Sequence, residues 1–151
     1  MQKAEILVIA LVSPILTGVY RDGLLAASFT DEGMTSDVLA LRMKPLLQQY
    51  DVTALYYAKG PGSFMAIKLA YVFLKTLAIT KGIPLYASDG FSFNGAAPIK
   101  ATGKRYYVKE GQTIKTCLLS QPQTGKFALP PYLKPEGFTT DSEPLYIAPA
   151  V

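Results

Sequence analysis

Residues 5–12, EILVIALV, are apolar at consecutive positions after a single opening charge. A short run of this kind predicts a central strand covered on both faces, because a half-exposed strand would alternate. LTGVY and LLAASF come next, separated by Arg21-Asp22-Gly23. Asp-Gly between two apolar runs predicts a tight hairpin, since glycine tolerates the positive φ that such a turn requires. The first 30 residues therefore predict a three-stranded antiparallel meander.

The period then changes. Leu39, Met43, Leu46, Leu47 and Tyr50 recur at helical spacing and share one face. Thr35 or Ser36 is the expected cap, with Asp37 favourably placed near the positive end of the helix dipole. A narrower stripe carries Val38, Leu41 and Pro45 beside Arg42 and Gln49, and Pro45 should bend or loosen the helix because it lacks an N–H. VTALYYA (52–58) predicts a strand. Gly60-Pro61-Gly62-Ser63 is a turn, and a helix runs from about Phe64 to a stop at Gly82. IPLYAS (83–88) follows as a strand. Strand–turn–helix–strand normally makes a right-handed parallel crossover. Three antiparallel strands followed by such units predict a mixed sheet.

After Asp89 the pattern loosens. FNGAAPIKATGK is loop-like, and KRYYVKE and IKTCLLS flank Gly111-Gln112 as a hairpin. Six of the 11 prolines lie between Pro122 and Pro149, so the tail should be extended, with one short strand near EPLYI. This divides the chain into a core lobe, 1–90, and a reduced, loop-rich second part, 91–151.

The second helix is apolar on almost every side. Ala66, Ala70, Phe73 and Leu77 form a face suited to lying on a sheet. The opposite face carries Phe64, Lys68, Tyr71, Val72, Lys75 and Ile79, although the outer face of a surface helix is usually polar. Either the chain's own core covers this face or another protein does; an apolar patch rimmed by charge marks a contact site. The stripe of Val38, Leu41 and Pro45 would extend it.

Composition narrows the chemistry. At 151 residues, half of them hydrophobic and 17% charged, the chain reads as globular, with one domain or two small lobes. The net charge of +4 permits an acidic or nucleic-acid partner without demanding one. There is no histidine, which excludes Ser-His-Asp and Cys-His catalysis and any histidine-ligated metal. Cys117 is the only cysteine, so no intrachain disulfide forms and a reducing compartment is the natural setting. Its apolar surroundings, IKTCLLS, suit a buried inert thiol better than a reactive one. Lys3 with the apolar run that follows imitates a secretion signal, but Glu5 abuts the run and no small-residue cleavage pattern follows; a buried strand fits better. Residues 64–80 are the longest apolar candidate for a membrane span, and Lys68 and Lys75 interrupt them.

Two binding chemistries remain to be weighed. A glycine-rich turn between strand and helix can offer backbone N–H groups to a phosphate, which would put Lys59, Gly60, Gly62 and Ser63 at the ligand. The full phosphate-loop spacing is absent and Pro61 removes a donor, so Ser63 as a simple helix cap competes with that reading. Lys100, Lys104, Arg105 and Lys109 with Tyr106 and Tyr107 form a basic, aromatic segment able to meet RNA phosphates and bases, or merely a solvated hairpin. Asp22, Asp37 and Asp89 are better explained by turns and caps than by acid chemistry.

GPGSF before a long helix that ends in GIPLY resembles the TsaB (YeaZ) family, whose pattern is a strand, a G-R-G-P-G-S-F-T-G-like turn, a helix and a G-I-P-L strand. ILVIALVSP is similar to the family's opening strand, TSDVLALRM to the start of its first helix, and EPLYIAPAV to its terminal P-x-Y-L-R segment. The resemblance covers residues 5–90 well and the last ten loosely. It implies an α/β fold with the RNase H-like core of actin, heat-shock chaperones and sugar kinases, here with a truncated second lobe. It also implies a noncatalytic subunit in a cytoplasmic complex. TsaB partners a TsaD-like catalytic subunit which, with a TsaE-like ATPase, transfers a threonylcarbamoyl group to tRNA. Pairing through the two helices, with itself or with TsaD, would use Val38, Leu41, Arg42, Pro45, Phe64, Lys68, Tyr71, Val72 and Lys75. tRNA is then met indirectly, and ATP belongs only to the partner or to a shared interface.

The departures reinforce a scaffold role. Ala10-Leu11-Val12 stand where active members of the superfamily keep a strand-end aspartate. Lys59 replaces the turn's Arg, Met65-Ala66 its Thr-Gly, and Ala148 the terminal Arg. The competing readings are a degenerate ATP-dependent phosphotransferase or peptidase, and a protein that binds tRNA directly.

Overall fold

The computed structural model describes residues 1–120 and 125–147. Its main sheet contains β1 (Gln2–Ile9), β2 (Ile15–Arg21), β3 (Leu24–Asp31), β4 (Tyr50–Ala58) and β5 (Leu85–Ser88), in the order β3-β2-β1-β4-β5. Helices α1 (Thr35–Gln49) and α2 (Phe64–Lys81) connect β3 to β4 and β4 to β5. β1 pairs antiparallel with β2, and β2 with β3, while β1–β4 and β4–β5 are parallel. The expected meander and crossover both form. Asp22 and Gly23 take positive φ in the first hairpin, as the dipeptide predicts.

β1 occupies the centre and is covered on both faces: Ile6, Leu7, Val8 and Ile9 are fully buried. It begins three residues earlier than the apolar run and ends at Ile9, where its ladder with β2 closes opposite Leu16. Gln2–Ala4 pair with Tyr50–Val52, so β4 also starts earlier than expected. Gln2, Lys3 and Asp51 are exposed and polar, which hid this end of the ladder from a search for apolar runs.

One face of the sheet packs on the helices. Ala4, Ile6, Val8 and Val19 meet Leu39, Met43, Leu46, Ala70, Leu74 and Ala78 there. α1 starts from Met34, whose side chain makes no cap bond, so neither Thr35 nor Ser36 is the cap. Both lie inside the first turn instead, and the helix continues through Pro45 to Gln49. Arg42 anchors α1 to β3: its Nε and Nη2 donate to the two carboxylate oxygens of Asp31 at 2.8 and 2.7 Å, and its guanidinium lies 4.1 Å from the Phe29 ring centroid.

The Arg42 guanidinium holds the Asp31 carboxyl below its ordinary pKa, chiefly by hydrogen bonding. A depressed folded-state pKa adds stability above the unfolded value of about 3.9, and that stability disappears as pH falls through the folded value. Asp31→Asn should therefore lower stability by about 1 kcal/mol at pH 7, a figure that allows for partial solvent exposure. Urea titrations at descending pH should show the two proteins converging in the acid range.

The other face carries Leu7, Ile9, Tyr20, Ala54 and Tyr56, and of the residues of α1 and α2 only Ile67 joins this cluster. A strap of residues 125–147 covers this face, with Phe127, Leu129, Leu133 and Phe138 packed against the sheet. It is fixed at both edges. Leu25 N donates to Pro131 O at 3.0 Å and Leu133 N to Gly23 O at 2.8 Å at the β3 side, while Ala87 and Thr139 exchange backbone bonds at β5. Tyr20 Oη donates to Pro130 O at 2.7 Å between them, and burial pushes this phenol up to about 12, so it stays a donor.

A second, antiparallel sheet has the order β6 (Ile99–Lys100), β7 (Arg105–Glu110) and β8 (Thr113–Leu118), the last two being the expected hairpin. Ile99 and Tyr107 join Phe91 in a small core of their own. The strand expected near EPLYI does not form. Leu145 N donates to Lys59 O at 2.7 Å, but no ladder extends from it, and Pro144 has no N–H to offer. The expectations at Pro122, Ala148 and Pro149 lie outside the described residues.

Candidate interaction surface

Ser63 caps α2, accepting from Ala66 N at 3.5 Å, and Gly82 ends it in the left-handed conformation. The buried side is Ile67, Ala70, Leu74 and Ala78 rather than Ala66, Ala70, Phe73 and Leu77. The helix is rotated by about one position from the expected phase, because a helix apolar on most sides has no polar face to fix that phase. Phe73 and Leu77 turn toward α1 and, with Leu69 and Val72, line a groove beside Ser36.

Directly opposite the buried side stands Met65, Leu69, Val72, Thr76 and Ile79. Their 4-3-4-3 spacing is that of a helix-pairing seam. Met65, Val72 and Ile79 are 66%, 52% and 71% exposed. Lys68 is exposed beside them, whereas Lys75 is half-buried. Tyr71 belongs to the core flank, half-buried and stacked on Tyr57 at 6.2 Å. Phe64 meets Tyr146 of the tail edge-on at 5.4 Å. The tail thus reaches the first turn of α2 and leaves the seam uncovered among the described residues.

The residues expected to extend the surface onto α1 do not form one exposed face continuous with the seam. Val38 is 7% exposed and sits in the chain's own core, and Arg42 is committed to Asp31. The flank of α1 near α2 carries Ser36, Ala40, Met43 and Leu47. Leu41 and Pro45 are exposed on another side, since five residues along a helix turn the side chain far from that groove. Met65 and Leu69 were missing from the expected contact set, although their spacing from Val72 and Ile79 was already visible in the sequence.

The glycine turn is occupied by the protein itself. Lys59 N donates to Ser88 O at 2.9 Å, Ser63 N to Leu11 O at 3.3 Å, and Gly90 N to Gly60 O at 2.8 Å. Lys59 Nζ reaches Asp141 O at 3.0 Å. Lys59 and Ser63 therefore spend their backbone donors on β5 and on the β1–β2 connection, and Gly62 packs close to Leu11, where an added Cβ would meet Leu11 O at 3.0 Å. The turn ties together the end of β1, the start of the segment after β5, and the tail. These contacts favour a structural role over a phosphate cradle.

The acids read as turn and cap residues behave as such. Asp89 accepts from Phe91 N at 3.0 Å and from Lys109 Nζ at 2.6 Å, pinning β7 to the segment after β5. That bond withdraws Lys109 from the basic segment, and Tyr107 is buried, which removes one of the two rings expected to stack on bases. Among the described residues no three acidic or cysteine side chains cluster to hold a metal, and no helix is long and apolar enough to cross a membrane.

No protein-family model matches the chain, and no curated protein matches its sequence. Solved structures do match its shape. YeaZ from Pseudomonas aeruginosa superposes with a TM-score of 0.56 at 15% identity, over 86% of this chain and 71% of that one. A second structure, titled an uncharacterized protein with similarity to peptidase YEAZ from Pseudomonas aeruginosa, gives 0.57 at 17% identity, over 86% of this chain and 65% of its own. At such identities the likeness is one of architecture: this chain, spanning about two thirds of the length of those proteins, has the fold of YeaZ.

Proposed function

We propose that the chain is a noncatalytic binding subunit of the TsaB kind. It supports a TsaD-like catalytic protein, together with a TsaE-like ATPase, in threonylcarbamoyl modification of tRNA, and it pairs with itself when alone. The five-stranded mixed sheet and the likeness to YeaZ support placing it in the RNase H-like class with a shortened second part. The apolar Ala10-Leu11-Val12 at the end of β1, where a catalytic member would keep an acid, and the lack of histidine support a role without chemistry of its own.

The observation that carries this reading is the uncovered seam on α2. A mainly apolar stripe about four helical turns long, opposite the buried face, is costly to leave in water; burial against a matching helix removes that cost. ATP, on this reading, is handled by the partner.

Val72→Glu combined with Ile79→Glu tests the assignment. Both side chains are more than half exposed, so the fold should persist with unchanged circular dichroism. Light scattering after gel filtration should show self-association weakened on the order of 100-fold, and co-purification with a TsaD-like protein should fail likewise. A wild-type chain that stays monomeric at high concentration and recovers no TsaD-like partner would defeat the proposal, as would a variant that associates like wild type.

A further inference from the structure

A hollow lies where the β1–β2 turn faces the second sheet, sharing no residue with the α2 seam. We propose that it binds a small organic anion with an apolar body, such as an acyl or aryl carboxylate, sulfonate or phosphate monoester.

Size and composition carry the proposal together. The hollow measures about 540 Å³, within the roughly 300–1,000 Å³ of small-molecule sites. Buried Ile99 and half-buried Leu16 and Phe127 supply apolar wall, while Lys100, Lys126 and the phenol of Tyr106 supply polar contacts. No carboxylate is among its described lining residues. Three other lysines, Lys59, Lys109 and Lys115, each lie near an acid. Lys100 and Lys126 have no acidic partner among the described residues. Two uncompensated ammonium groups over an apolar wall favour an anion whose remainder is hydrophobic.

A second hollow of about 430 Å³ shares Val12 and Lys100 with the first and continues to Ser63 and Thr102. It too has no described acidic lining residue. The continuity gives room for an elongated ligand with Lys100 near its middle. A metal-complexed triphosphate fits this chemistry poorly, since no lining carboxylate is present to hold the cation.

The test uses the full chain labelled with nitrogen-15 and two probes, decanoate for an acyl anion and 1-naphthyl phosphate for an aryl one. At least one should shift the amides of Ser13, Leu16, Ile99 and Lys126 saturably at sub-millimolar concentration. Lys100→Glu with Lys126→Glu, both exposed, should weaken that probe at least tenfold while leaving the rest of the spectrum unchanged. Lys104→Glu, on the same hairpin but outside the hollow, should bind as wild type. Shifts with only one probe would identify the body the site prefers. No saturable shift at these amides with either probe, or binding that survives the double charge reversal, would overturn the proposal. The outcome is distinguishable from partner binding, because none of the four monitored amides lies on α2.

Discussion

Gly60→Val should cost about 4 kcal/mol, most of the stability of a small domain. Gly60 has φ +122, where side chains other than glycine's are rarely found, and an added Cβ would lie 2.7 Å from the backbone oxygen of Leu145. A flexible side chain could swing aside, but a carbonyl held by the chain cannot. Lys59 O accepts from Leu145 N at 2.7 Å, so the same displacement would break the bond that fastens the tail. Gly60 O also holds Gly90 N, and losing that link loosens the segment after β5. Gly82→Ala is the matched control. Gly82 has φ +67 with nothing within 4 Å of an added Cβ, so it carries backbone strain without the clash, worth about 1 kcal/mol. Urea unfolding of the two variants separates the terms. Equal losses would mean that the turn yields easily and does not organise the tail.

The turn also shows how far the sequence could be read. Gly-Pro-Gly-Ser between an apolar strand and an apolar helix was sufficient to place β4, α2, the cap at Ser63 and the stop at Gly82, because each rests on local backbone chemistry. The meander was legible for the same reason. What the turn touches was not legible: Leu11, Ser88, Gly90, Asp141 and Leu145 come from three distant stretches, and no spacing rule links them. The phase of α2 was lost to its uniformity, and with it the difference between Phe73, which is half-buried toward α1, and Met65, which is 66% exposed. On α1 the error was of another kind. Val38 and Leu41 lie on adjacent parts of a helical wheel, yet Val38 is buried in the core and Leu41 is 78% exposed, which only the tertiary arrangement decides. The hollow between the sheets was invisible in the sequence, since its walls come from the β1–β2 turn, the β6–β7 region and the strap.

The strap was the least legible element of all, and it supports the second large expectation. Residues 125–147 read as proline-rich loop, yet they do the covering that a helical layer usually does on a parallel or mixed sheet. Leu133 is 5% exposed and its N–H is bonded to Gly23, while Phe138 packs edge-on against Tyr56 at 4.8 Å and lies 6.0 Å from Phe93. Leu133→Ala should cost about 3 kcal/mol, and Phe138→Ala, which is only half-buried, about 2 kcal/mol. The double variant would lose about 5 kcal/mol, the lower bound of typical domain stability, and should fail to fold at 37 °C. Tyr132→Ala, at a neighbouring but 59% exposed position, should change stability by less than about 0.5 kcal/mol. Limited proteolysis supplies the diagnostic readout. If the strap is fixed by these two side chains, each single variant is cut first within 125–147 while the helices stay protected. If cleavage instead begins in α1 or α2, the strap does not close the second face independently of the helical layer. The proline content is consistent with the first outcome: Pro130, Pro131 and Pro135 restrict the unfolded strap, so few side chains suffice to hold it in an extended path across Leu7, Ile9 and Tyr56.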